Sequence, residues 1–65
     1  MTQNEAVLRH LKTGRSLTPG AALDRFGIFR LAARIHDLRR QGIKIESHTV
    51  KFGRKKWASY LLDMA

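Results

Sequence analysis

The sequence predicts an α+β fold in which three helices are followed by a two-stranded antiparallel β-hairpin, all within one domain over residues 1–65. Three observations predict it. Apolar residues recur at helical spacing in three runs up to residue 41, each bounded by residues that start or stop helices. After Gly42 the period changes to strict alternation. A basic turn around Gly53 then separates that run from a second stretch rich in aromatic and branched residues.

The elements follow in chain order. Thr2-Gln3-Asn4-Glu5 has the spacing of a capping box, in which the Thr hydroxyl and the Glu carboxylate reciprocally satisfy free amides at a helix start. Val7, Leu8 and Leu11 share one face, Lys12 sits at the negative end of the dipole, and Gly14 accepts the left-handed conformation that ends helices. The first helix is expected over about residues 3–13. After the link Arg15-Ser16-Leu17, Thr18-Pro19 starts a second, short helix over about 19–26, with Ala21, Ala22, Leu23 and Phe26 on its apolar face and Gly27 as its stop. Gly27-Ile28 then makes a tight turn. The third helix is expected over about 29–41, with Leu31, Ile35 and Leu38 on one stripe and Gly42 as its C-terminal cap.

From Ile43 the chain alternates: Ile43, Ile45, Ser47 and Thr49 point one way, Lys44, Glu46 and His48 the other. Strands are expected over about 43–50 and 55–62, joined by a turn at Phe52-Gly53-Arg54. Tyr60 with Leu62 is expected to face inward. Trp57 lies on the opposite face if the alternation is unbroken, where closing the sheet against the first helix is its commoner use and stacking on a base or ribose the alternative.

Composition narrows the partner. Thirteen Lys and Arg against five Asp and Glu give a formal charge of +8 on 65 residues. Such a field concentrates polyanions, so DNA, RNA or anionic lipid are the natural partners. A hydrophobic share of 43% supports a folded core rather than a disordered basic tail. There is no cysteine, which excludes disulfides, Cys-based zinc sites and thiol chemistry. No stretch approaches the roughly twenty apolar residues that span a bilayer, and Met1–Glu5 is polar without a signal-like apolar core, so a cytoplasmic protein is expected.

Two helices joined by a Gly-containing turn, from Thr18 to Gln41, match the helix-turn-helix arrangement, whose second helix lies in the DNA major groove. Three helices followed by a hairpin is its winged variant. The run from Leu17 to Ile45, LTPGAALDRFGIFRLAARIHDLRRQGIKI, resembles small helix-turn-helix proteins of bacteriophages and prophages. The spacing Arg34-Ile35-x-x-Leu38-Arg39-x-x-Gly42 leads into the first wing strand as winged helix families do. The resemblance implies a DNA-binding regulator, such as a repressor, an excisionase-like factor or a replication accessory.

With Leu31, Ile35 and Leu38 inward, a helical projection puts Arg30, Ala33, Arg34 and Asp37 on or near the outward face. Arg30 and Arg34 are long enough to reach a guanine edge or a phosphate, and Ala33 permits close approach. A solvated or ion-paired face, with Asp37 holding one arginine, is the alternative use of these charges. Phe29 can contact a thymine methyl, though an aromatic at this turn more commonly serves the core. Arg39 and Arg40 fall where the helix dipole favours positive charge whatever the function. The base contacts expected from sequence are therefore Phe29, Arg30, Ala33 and Arg34.

Backbone contacts are expected from the hairpin tip, where Lys51, Arg54, Lys55 and Lys56 surround Gly53, and from Arg15, Thr18 and Lys44. Like charges on a tight loop repel one another and are best accounted for by an anion. Enzyme chemistry has no visible support. His10, His36 and His48 are dispersed, the carboxylates form no acid and base pair, and Ser16, Ser47 and Ser59 lack a nucleophile-elbow setting. No metal, cofactor or small-molecule ligand is expected. The expected partner is double-stranded DNA, with two copies meeting on adjacent half-sites because one small domain has a small footprint. The competing function is an RNA-binding or protein-interaction adapter built on the same fold.

Overall fold

Hydroxyl caps start the first two helices. The computed structural model describes residues 2–63; residues 1, 64 and 65, which the expected domain span includes, lie outside the described residues. In α1 (Gln3–Lys12) the Thr2 hydroxyl accepts the Glu5 amide at 3.1 Å, and in α2 (Pro19–Phe26) the Thr18 hydroxyl accepts the Ala21 amide at 3.2 Å. Gly27 ends α2 at φ +67°, a left-handed conformation that costs an L-residue roughly 1–2 kcal/mol.

The third helix, α3 (Leu31–Arg40), starts later than the expected residue 29. Ile28 is 1% exposed, so the turn drives an apolar anchor into the core. Phe29 and Arg30 then carry the chain back out, and Arg30 is the N-cap with non-helical φ −121° and ψ 72°. At the other end the Ile43 amide donates to Leu38 O (3.1 Å) and the Gly42 amide to Arg39 O (3.0 Å), the paired bonds of a Schellman motif with Gly42 at φ +94°. Ile43 packs on the core as part of this cap. It is therefore spent on ending the helix, and β1 (Ile45–Phe52) begins after the expected residue 43 and runs past the expected residue 50.

β1 pairs antiparallel with β2 (Lys55–Leu62) from Ile45 opposite Leu62 to Phe52 opposite Lys55. The turn thus holds only Gly53 and Arg54. Gly53 has φ +62° while no other residue type has positive φ among the described residues, the sign pattern of a type II′ hairpin turn. The register places Ile45, Ser47, Thr49 and Lys51 on one face with Leu62, Tyr60, Ala58 and Lys56. The other face carries Glu46, His48, Val50 and Phe52 with Leu61, Ser59, Trp57 and Lys55.

A third, one-residue strand joins the sheet. Leu17 and Tyr60 exchange both backbone bonds at 2.8 Å, so β2 lies between β1 and the segment linking α1 to α2. His10 reinforces that link: its Nε2–H donates to Ser16 O at 3.0 Å and its ring meets Phe26 edge-on at 5.9 Å. The core is drawn from every element: Val7, Leu11, Leu17, Ala22, Ile28, Leu31, Ile35, Leu38, Ile45 and Tyr60 are buried. Tyr60 and Leu62 face inward as the alternation predicts. Trp57 does not close the sheet against α1; it is 37% exposed, paired with Val50 beyond the end of the core.

Arg39 clips the helical layer to the hairpin. Its Nε and Nη2 both donate to Ile45 O, at 3.2 and 2.8 Å. Arg39→Ala is expected to lower stability by about 1 kcal/mol, the scale of hydrogen bonds shared with water at the surface. A urea titration checks it, and an unchanged midpoint overturns the structural role. Arg39→Lys should recover only part of the loss, because an ammonium cannot make the forked contact.

Candidate nucleic-acid interface

The buried stripe of α3 fixes which residues it presents to solvent. With Leu31, Ile35 and Leu38 in the core, the opposite side of the helix carries exposed His36 and Arg40 and half-buried Ala33, with exposed Ala32 at its margin and Phe29 at its head. Phe29 is 86% exposed, so it takes no part in the core. Its neighbour Ile28 is the residue this turn buries in the core. Arg30, beside it, is exposed and has no side-chain partner among the described residues.

Arg34 is placed differently from Arg30. It lies on the flank of α3 that packs against α1, with Nη2 at 3.3 Å from Asp37 Oδ2 and Nη1 donating to Gln3 Oε1 at 3.4 Å. Its side chain is 33% exposed, and its Nε is buried without an acceptor among the described residues. The two arginines that sequence spacing makes neighbours are thus separated in role, one free at the helix start and one bound to the scaffold. His36 and Arg40, which are not among the base contacts expected from sequence, stand on the outward face instead. The helical projection itself could have found them, since both are offset by about half a turn from the buried stripe.

The wing supplies the second surface. Burial is confined to its base, at Ile45 and Tyr60, and residues 51–57 are all exposed. At about 3.3 Å per residue, the hairpin tip projects roughly 15 Å beyond Tyr60. Lys51 and Lys56 are direct cross-strand partners on the face that continues the core, where like charges opposite one another destabilise a sheet. Arg54 occupies the turn and Lys55 the opposite face. No Asp or Glu lies between Glu46 and Asp63, so nothing in the distal wing neutralises this charge.

The remaining expected backbone contacts are dispersed. Arg15 and Lys44 are exposed in the links before α2 and β1. Thr18 is half-buried, with its hydroxyl already engaged by the Ala21 amide. Among the described residues, no helix is long and apolar enough to cross a membrane, and no group of three or more His, Cys, Asp or Glu is placed to hold a metal ion.

Three helices with a turn between α2 and α3, a one-residue strand at Leu17 and a basic hairpin form a winged helix-turn-helix arrangement. No curated protein and no solved structure matches the chain significantly. A family does: the sequence matches the winged helix-turn-helix domain over residues 2–63, almost its whole length, and the chain belongs to that family.

Proposed function

We propose that the protein binds double-stranded DNA selectively, with α3 in the major groove and the wing on the phosphate backbone. The observation that carries this reading is the Lys51–Lys56 pair in a distal wing without acidic residues, a repulsive arrangement that a phosphate backbone relieves. Family membership supports it. Arg30 is the principal base-reading residue, with Phe29 and Ala33 beside it. Lys51, Arg54, Lys55 and Lys56, with Arg15, Lys44 and the amino end of α2 at Thr18, hold the backbone. Arg34 acts from its pair with Asp37, orienting the helix and reaching the edge of the groove, and Arg40 extends the positive face.

On this reading the chemistry is docking alone. One domain covers a short site, so two copies bind adjacent half-sites, and the biological setting is a phage or prophage regulator or an excisionase-like accessory factor. The test is a fluorescence-anisotropy titration of duplex DNA, matched single-stranded DNA and duplex RNA across a salt series. Duplex DNA is expected to bind most tightly. On a selected site Arg30→Ala should weaken binding by about 5- to 150-fold while leaving non-specific binding nearly intact, the scale of one bidentate base contact. Equal binding to all three polyanions, or preference for RNA, favours the adapter function instead.

A further inference from the structure

The apolar residue at the wing tip stands outside the core. Phe52 is 77% exposed and forms the last ladder pair, opposite Lys55, immediately before the Gly53-Arg54 turn. Val50 and the partly exposed Trp57 continue the same face behind it. None of the three belongs to the core. Around the ring stand four cations: Lys51 and Lys56 on the other face, Lys55 on its own face and Arg54 at the apex. A large apolar group held on a projecting hairpin amid unneutralised positive charge fits a polyanion that also offers apolar surface.

Resting on the DNA-binding reading above, we propose that the wing enters the minor groove and that Phe52 inserts as a wedge at a base step, bending the duplex. The ring supplies what a backbone clamp does not need, and apolar wedges of this kind partly unstack a step while flanking cations hold the phosphates. The order of residues at the tip separates this from insertion into an anionic lipid surface. Arg54 lies ahead of Phe52 at the apex, so a lipid-inserting tip would carry a guanidinium into the hydrocarbon before the ring. In a minor groove a leading arginine is favoured by the negative potential there.

The wedge predicts a localised bend of roughly 20–90°. The experiment measures end-to-end energy transfer on doubly labelled duplexes, and 2-aminopurine fluorescence at successive steps of the bound site, with wild type, Phe52→Ala, Phe52→Leu and Leu23→Ala. Leu23 is a half-exposed leucine on α2, outside the proposed interface, and controls for loss of surface apolar area. Wild type and Leu23→Ala are expected to bend the duplex and brighten one step. Phe52→Ala should abolish both signals and bind about tenfold more weakly, while Phe52→Leu retains most of the bend.

Tight duplex binding by wild type with no bend, or an equal bend with Phe52→Ala, overturns the wedge and leaves the DNA-binding reading standing. Absence of duplex binding overturns both. A Phe52→Ala loss confined to single-stranded DNA assigns the ring to stacking on unpaired bases, and a loss confined to vesicles of anionic phospholipid assigns it to a membrane surface; either result also overturns the wedge.

Discussion

Leu11→Ala is expected to leave the protein largely unfolded at room temperature. Leu11 is 0% exposed on α1, in a core formed among the described residues by ten buried side chains from all elements and the links between them. Truncating a buried leucine removes its transfer energy and leaves a cavity, together about 2–5 kcal/mol. A single core in a chain this short rarely supplies more than about 3–5 kcal/mol. The sequence has no cysteine with which to reinforce it. The two quantities are of the same size, so the mutant sits near or past its midpoint without denaturant. Far-UV circular dichroism with a urea titration measures this. The control is Leu23→Ala, at a half-exposed position, which should lower stability by about 1 kcal/mol or less. A cooperative Leu11→Ala transition within about 1 kcal/mol of wild type would mean that the helices, not the shared core, carry the fold.

That core was largely legible in sequence, and where it was not the cause is local. Val7, Leu11, Leu31, Ile35 and Leu38 recur at helical spacing, and Thr2, Thr18, Gly14, Gly27 and Gly42 mark helix ends through side-chain acceptors or left-handed backbone that few other residues supply. Leu17 and Ile28 were not legible as core. Each is a lone apolar residue in a link with no period around it, and only tertiary structure, the Tyr60 pairing for one and the entry to α3 for the other, buries it. β1 was displaced because alternation begins at Ile43, while the helix cap takes Ile43 for itself. At the tip, Gly53 as the first residue of a two-residue turn requires Phe52 to remain in the ladder.

The surface was legible in charge and less so in geometry. Clustering of cations around Gly53 is a property of sequence, and the hairpin leaves them all exposed. Arg34 is the contrary case. Its spacing from Arg30 is correct for neighbours on one helix, yet Arg30 caps the helix from outside and Arg34 turns to Gln3, thirty-one residues away in sequence. A projection drawn from α3 alone has no knowledge of α1.

Neutralising the wing tip, with Lys51, Arg54, Lys55 and Lys56 all changed to alanine, is expected to have the largest effect on DNA binding. All four side chains are exposed and none has a protein partner among the described residues. Each phosphate contact contributes about 0.9 to the slope of log affinity against log salt on duplex DNA. Losing four should flatten that slope by about 3–4 and reduce affinity roughly 100- to 1000-fold near 0.1 M salt, with the gap closing as salt rises. Stability should move the other way. Removing the facing Lys51–Lys56 pair relieves a cross-strand repulsion worth a few tenths of a kcal/mol to about 1 kcal/mol, so the variant unfolds at equal or higher urea. Affinity and stability changing in opposite directions is the signature of charge maintained for a partner rather than for the fold. If the salt slope stays unchanged, the wing does not touch the backbone and α3 must dock by itself; if stability falls with affinity, the cations belong to the hairpin's own structure.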